Sequence, residues 1–250
     1  MKIGIIGGNG QYGTWFQRFF HRTWLQRLFG KRCHNYQVII SDLDTEMRNP
    51  ALAKQADVIL ISVPVKETAT VIREISSMVA GKLLIEIAST GKEEIRKALL
   101  ETEAEFLQIH PMCRPPKKRN FEGFGIVVAE ENRLDRWKGF ADTFLKNTRA
   151  DIVELPLDLM ELYAAWAQAG IHGPTLAGLF ARMEAGVNPK KLFASASGFY
   201  KIMSCLAPRM LKQEEKLYWG VLCGNPHTPD VLKQTIKWMA WLLQVIETND

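Results

Sequence analysis

Cysteine is scarce and dispersed. Cys33, Cys113, Cys205 and Cys223 stand far apart, and no two of them form a C-x-x-C pair. That excludes a disulfide framework and a cysteine metal site, and leaves reduced thiols; no metal is expected. Long apolar runs are missing too. No stretch approaches the ~20 uninterrupted apolar residues of a membrane-spanning helix. There is no internal repeat and no low-complexity segment. Excess charge of one sign is small, at +5. The cations are scattered, apart from short runs such as Lys117-Lys118-Arg119. Nucleic-acid binding calls for a basic face or a stacking platform, and neither is present. A mild positive potential suits a small anionic substrate instead. Met1 leads straight into a strand pattern, with no room for a signal peptide, so the expected setting is the cytoplasm.

What is present is concentrated at the start. A β-branched run, Ile3 to Ile6, has the character of a buried parallel strand. It breaks at glycines and resumes as a helical pattern. Gly8, Gly10 and Gly13 stand in G-x-G-x-x-G spacing. Gly8 is expected to make the tight turn, Gly10 to admit a pyrophosphate close to the backbone, and Gly13 to let helix and strand pack closely. The phosphates would sit at the helix N-terminus, where free N–H groups and the helix dipole favour an anion. The expected cofactor contacts here are Gly8, Asn9, Gly10, Gln11, Tyr12 and Gly13.

A basic amphipathic stretch, His21 to Asn35, follows and is expected to pack on the sheet edge, the alternative being contact with a membrane surface or a partner. Gln37 to Ser41 is a second strand that ends at Asp42. An acid there is placed to bond the adenosine ribose hydroxyls and would repel a 2′-phosphate, which favours NAD over NADP; Asp44 is the competing acid. Further strands are expected at Asp57 to Val63, Leu83 to Ile87, Phe106 to Ile109, Phe124 to Ala129 and Asp151 to Val153. Helices are expected at Lys66 to Met78 and Leu134 to Lys146. Strands alternating with helices predict an α/β fold, a Rossmann-type, doubly wound, mostly parallel sheet. Past Leu155 the pattern is helical: Leu157 to Glu184, Pro189 to Leu206, Arg209 to Cys223 and Pro229 to Glu247. Residues 1–154 are therefore expected to bind NAD. Residues 155–250 form an all-helical domain for substrate and homodimer contacts, with Trp238, Trp241 and Leu242 as core or interface.

Ligands of such a sheet bind beyond the carboxyl ends of its strands. Three segments reach that edge: Ser62-Val63-Pro64, expected at the cofactor, Ala88-Ser89-Thr90-Gly91-Lys92, and His110-Pro111-Met112. His110, directly after a strand, is placed for a general base, since imidazole titrates nearest to working pH. Ser89 is placed to orient it or to bond the same substrate oxygen.

With these residues in view, the sequence resembles the prephenate and arogenate dehydrogenases of tyrosine biosynthesis. The resemblance is carried by Gly-Gly-Asn-Gly-Gln-Tyr-Gly at 7–13, Ala-Asp-Val-Ile-Leu-Ile-Ser-Val-Pro at 56–64, Ile-Ala-Ser-Thr at 87–90 and His-Pro-Met at 110–112. Trp-Ala-Gln-Ala-Gly-Ile-His at 166–172, Phe199-Tyr200 and Leu217-Tyr218 continue it. It implies hydride transfer from a cyclohexadienol to NAD, with His110 taking the hydroxyl proton, Ser89 bonding the same group, and carbon dioxide lost as the ring becomes aromatic. It implies Gln168, His172 and His227 at the substrate. Three departures stand out. The family's lysine two residues after the serine is Gly91 here, with Lys92 one further on. Its His-Asp pair is Met160-Glu161. Its carboxylate-gripping arginine falls in Asn225-Pro226-His227-Thr228, where no arginine stands. Arg114 is either a replacement anchor or a surface residue.

Two rival readings remain. The same two-domain plan serves β-hydroxy-acid dehydrogenases and imine reductases, which commonly use a lysine on a long helix. Leu157 to Ala181 contains none. A non-catalytic NAD-binding protein is the other rival, and retention of Ser89 and His110 argues against it.

Overall fold

The computed structural model describes residues 1–21, 36–212 and 215–248. Apart from His21, the basic amphipathic stretch after the first helix lies outside them, as do the side chains of Leu217 and Tyr218. The described chain forms two compact units, Met1–Met160 and Glu161–Asp250.

The first unit is built on a seven-stranded sheet. Its strands are β1 (Lys2–Ile6), β2 (Gln37–Ser41), β3 (Val58–Ile61), β4 (Leu83–Glu86), β5 (Glu105–Pro111), β6 (Gly125–Ala129) and β7 (Asp151–Leu155). They lie in the order β2-β1-β3-β4-β5-β6-β7. The first five in sequence are mutually parallel. β6 is antiparallel to β5, and β7 is parallel to β6. The reversal has a local cause. The link from 112 to 124 carries no helix, and a parallel return needs a long crossover, usually helical.

The strands are apolar on both faces because helices cover both. Val58 and Leu60 of β3 join Ile3, Ile5, Ile85 and Leu107 under one helical layer. That layer is α1 (Gln11–Phe20), which contributes Trp15, Phe16 and Phe20, while Phe144 and Ala141 come from a later helix, Lys138–Thr148. Ile59 and Ile61 face the other way. There they meet α2 (Asn49–Gln55), α3 (Val65–Ile75) and α4 (Lys92–Leu100); the Lys138–Thr148 helix is α5. Period-two alternation with both faces apolar is the mark of a covered parallel sheet. Trp15 anchors the first face. Its ring lies 4.3 Å from that of Phe121, and its indole N–H donates to the Lys118 carbonyl at 2.9 Å.

Two helices went unanticipated. α2 begins with Pro50 in its first turn, and α4 has Glu93 and Glu94 in its first turn. Both are start signals, but the helices are short.

The second unit is helical. α6 (Leu157–Glu184) begins in the first unit and continues into it. Then come α7 (Pro189–Ser195), α8 (Gly198–Ser204), α9 (Leu206–Leu211), α10 (Glu215–Gly224) and α11 (Thr228–Thr248). The single helix expected over Pro189 to Leu206 is broken at Ala196. The Ser197 hydroxyl caps a new helix by accepting from the Tyr200 amide. The helix expected over Arg209 to Cys223 is likewise divided between α9 and α10. The unit has a small core of Ala165, Ala169, Leu222 and Val231. Trp238, Trp241 and Leu242 lie on its surface, 49% to 56% exposed, so they are not core of this chain. No described helix is long and apolar enough to cross a membrane.

Candidate functional site

Strand order reverses between β1 and β3, since β2 lies on one side of β1 and β3 on the other. The carboxyl ends of these two strands form the crevice where an open α/β sheet takes its ligand. The glycine turn and Ser62 stand at that crevice.

The turn is knitted from backbone. The amides of Gly7 and Gly8 both donate to the Ser41 carbonyl, at 2.9 and 3.1 Å. Gly7 has φ +79°, the left-handed region, so the tight turn falls on Gly7 and not on Gly8 as expected. Gly8 is small for another reason: a Cβ there would meet the Ile40 Cβ at 2.6 Å. Gly13 packs as expected. A Cβ on it would lie 2.1 Å from the Gly7 carbonyl oxygen and 2.5 Å from that of Gly8. Gly10 is the N-cap of α1, without a side-chain cap and with no acid in the first turn. The free amides of that first turn therefore fit an anion such as a pyrophosphate. Gln17 donates to the Gly8 carbonyl at 2.8 Å and braces the turn from within the helix.

Asp42 follows β2 directly. One carboxylate oxygen accepts from the Asn9 amide at 2.8 Å and the other from the Leu43 amide at 2.7 Å. The Asn9 side chain donates to Asp44 at 2.6 Å. Both acids that competed in the sequence thus meet at Asn9. Across the crevice the Ser62 hydroxyl donates to the carbonyls of Ile6 and Gly7, at 3.1 and 3.0 Å. Pro64 is the N-cap of α3.

Next along the edge come the two residues expected to do chemistry. Glu86 pairs with Gln108 in the β4–β5 ladder. Ser89, in the bend after β4, and His110, within the adjacent β5, follow shortly after that pair, so the fold brings them to the same edge. His110 is not beyond its strand as expected. It lies inside β5, opposite Val127 of β6. It is 5% exposed. Burial first, and then the nearby charge of Lys92, push its imidazole down to about 3. His110 is therefore neutral near pH 7 and available as a proton acceptor. Ser89 is half-buried, and Thr90 beside it is buried with its hydroxyl unpartnered by the described residues.

Beneath this pair lies a group that the sequence reasoning missed. Lys92 is 1% exposed and Glu86 is 0% exposed, and they form an ion pair at 2.8 Å. Lys92 also donates to the Ile109 carbonyl at 2.9 Å. Glu86 accepts from the Ala88 amide, and from Gln108 at 3.3 Å. The signal available was a lone acid closing an apolar strand, Leu-Leu-Ile-Glu, with a lysine six residues on.

The remaining expected residues are more dispersed. Tyr12 points its hydroxyl to the Cys113 carbonyl, which ties α1 to the segment after His110. Its phenol is pushed up by burial and then by Cys113. Asn9 and Gln11 are exposed at the turn, and Val63 is half-buried. Arg114 is exposed. In the second unit Gln168 and His172 are one helical turn apart on α6, both half-buried, and burial lowers the His172 imidazole. His227 is half-buried just before α11. Its amide donates to the Asn225 side chain at 2.9 Å, and Asn225 donates to the Glu161 carbonyl at 2.7 Å. Among the described residues no three His, Cys, Asp or Glu side chains gather as a metal site.

Comparison with known proteins bears on this geometry. Residues 35–152 match the family model described as prephenate dehydrogenase, nucleotide-binding domain. The match includes Asp42, Ser62, Ser89, His110 and Arg114; the glycine turn precedes it. A probable arogenate/prephenate dehydrogenase of Methanocaldococcus jannaschii is 24% identical over all of this chain, which covers 58% of that protein. The chain spans about three fifths of the length of the curated relatives it matches. Among solved structures, the prephenate dehydrogenase of A. aeolicus in complex with hydroxyphenyl propionate and NAD+ superposes with a TM-score of 0.75 at 14% identity, covering 100% of this chain and 91% of that one. Synechocystis arogenate dehydrogenase gives 0.74 at 15%, covering 100% and 93%. The fold is therefore that of the prephenate and arogenate dehydrogenases, with a Rossmann-like sheet followed by a helical region.

Proposed function

Starting from a chain whose residues 35–152 carry the signature of the prephenate dehydrogenase nucleotide-binding domain, we propose that it catalyses NAD-dependent oxidative decarboxylation. The substrate is prephenate or a close analogue, arogenate or 4-amino-4-deoxyprephenate. The observation that carries this reading is His110, a buried and neutral imidazole on the strand beside the Ser89 loop.

Bound NAD supplies the hydride acceptor. The turn from Gly8 to Gly13 cradles its phosphates, Asp42 bonds its ribose, and Ser62, Val63 and Pro64 flank it. His110 accepts the proton of the substrate hydroxyl as that carbon becomes a carbonyl, or, in the amino analogue, the proton of the amine as that carbon becomes an imine. A positioned base of this kind contributes about 10²–10⁴-fold. Ser89 bonds the same oxygen and holds it in place. Loss of the ring carboxylate asks little of the protein, because the product ring is aromatic. Arg114, Gln168, His172 and His227 grip the substrate. His227 lacks the planar, bidentate fork of an arginine, which leaves the choice among these substrates open and points to a specialised pathway.

In this reading residues 1–154 bind the cofactor, while 155–250 hold the substrate and form a homodimer in the cytoplasm. The exposed aromatic face of α11 supports the dimer: Trp238 and Trp241 are half in solvent, their rings 5.5 Å apart.

The test supplies prephenate, arogenate and 4-amino-4-deoxyprephenate in turn with NAD and follows NADH absorbance. NADH from at least one of them is expected. If none gives NADH while calorimetry shows NAD binding, the non-catalytic alternative replaces this reading. His110→Asn is expected to cut turnover sharply and leave NAD affinity intact; unchanged turnover would remove its role as base.

A further inference from the structure

We infer that Lys92, clamped by Glu86 under the ends of β4 and β5, is a positioning residue that fixes Ser89 and His110 relative to each other. The inference rests on the reading of those two residues as the reacting pair.

The clamp touches the chain just before each of them. Glu86 takes the amide of Ala88, one residue ahead of Ser89. Lys92 takes the carbonyl of Ile109, one residue ahead of His110, at 2.9 Å. The ion pair at 2.8 Å joins these two contacts, and Gln108 adds a third strand-end contact to Glu86 at 3.3 Å. β4 ends at Glu86, opposite Gln108. Past that point the ladder no longer sets the spacing of the two segments, and Lys92 does so instead. Gly91, at φ +71°, turns the chain so that Lys92 opens α4 facing inward.

Stability is a weak account of such a pair. Removing two charges from water costs about as much as their attraction returns, and apolar residues of equal volume would serve the fold as well or better. Placement explains it, since a misplacement of about 1 Å can cost roughly 10²-fold in rate. The clamp also sets the field at the imidazole. The charged and titratable groups on the elements around that part of β5 are Glu86 of β4, Lys92 of α4, Tyr12 of α1, and Cys113 and Arg114 of the following loop. β6 opposes His110 with Val127. Farther down the strand Arg96 and Arg133 flank Phe106. Of these, Lys92 is the charge felt at His110.

The experiment uses the full chain with Lys92→Met, and with Lys92→Met/Glu86→Gln, which leaves no unpaired buried charge should the single variant unfold. Expected are a fall in kcat of about 10²-fold with NAD affinity within about threefold, and a His110 imidazole that titrates closer to its ordinary range by NMR. A folded variant with near-normal kcat and an unmoved His110 titration overturns the inference. If the unaltered chain turns over no cyclohexadienol acid, the proposed function fails, and the NMR titration alone decides the link: a rise supports it and an unchanged midpoint overturns it.

Discussion

The backbone amide of Asn9 donates to the carboxylate of Asp42 at 2.8 Å, so the acid that ends β2 also holds the glycine turn that opens α1. One side chain shapes the glycine turn and presents negative charge beside it. Asp42→Asn keeps an oxygen for the Asn9 amide, and loses the charge together with the acceptor for the Leu43 amide. NAD affinity is expected to fall about tenfold, the scale of a charge-assisted hydrogen bond, while NADP binds better than before. Calorimetry with both cofactors checks this. An unchanged preference would move ribose recognition away from Asp42.

Gly10 and Gly13 are expected to separate cofactor binding from folding. A Cβ on Gly13 meets backbone oxygens at 2.1 and 2.5 Å, and backbone cannot swing aside. Gly13→Ala should therefore lower Tm and abolish NAD binding, with a destabilisation of at least ~1–3 kcal/mol. A Cβ on Gly10 comes only within 3.3 Å of the Gly7 oxygen. Gly10→Ala should keep Tm near that of the parent yet lose NAD affinity, because the methyl group projects where the phosphates approach. Thermal melts with and without NAD distinguish the two. Equal losses in both would mean that Gly10 is structural.

His110 makes stability depend on pH. Its folded pKa is about 3, against an ordinary 6.5. Between these values the unfolded chain binds the extra proton, so stability is full above about pH 6.5 and is lost as pH falls toward 3. The slope from this one group is at most about 1.4 kcal/mol per pH unit. His110→Gln should flatten the stability profile over that window in urea titrations. The same pKa implies that kcat/KM shows no acid limb near 6.5. A limb there, absent in His110→Gln, would show that the imidazole titrates normally.

The exposed face of α11 is expected to be covered by a second copy of the chain. Trp238→Glu/Trp241→Glu should convert a dimer to a monomer in sedimentation, with the fold of the first unit retained. A parent chain that sediments as a monomer would remove the homodimer from the proposed function.

Much of this molecule was legible in its residues, and the reasons are local. The runs at Ile3 to Ile6, Val58 to Ile61 and Leu83 to Ile85 are apolar on consecutive positions, which only a sheet covered on both faces accommodates. Glycines at 8, 10 and 13 announce a strand-to-helix turn, and at 8 and 13 a Cβ would clash with Ile40 and with the Gly7 and Gly8 carbonyls. Asp42 and His110 were found because each follows from where a strand should end. The reversal of β6 is a matter of topology: the residues of 112–124 show that a loop is present, not which way the chain leaves it.

What the chain order alone determined, then, was the alternation of elements, the glycine turn between β1 and α1, and the sheet edge near which Ser89 and His110 lie. Tertiary structure decided the rest. It moved the left-handed turn from Gly8 to Gly7, because the Ser41 carbonyl at the end of the neighbouring β2 draws two amides at once. It placed His110 within a strand and out of water, which makes it neutral. And it turned Lys92, in sequence a basic residue one position out of place, into a buried cation paired with Glu86. Burial and pairing are properties of neighbours distant in the chain, and neither is encoded by spacing.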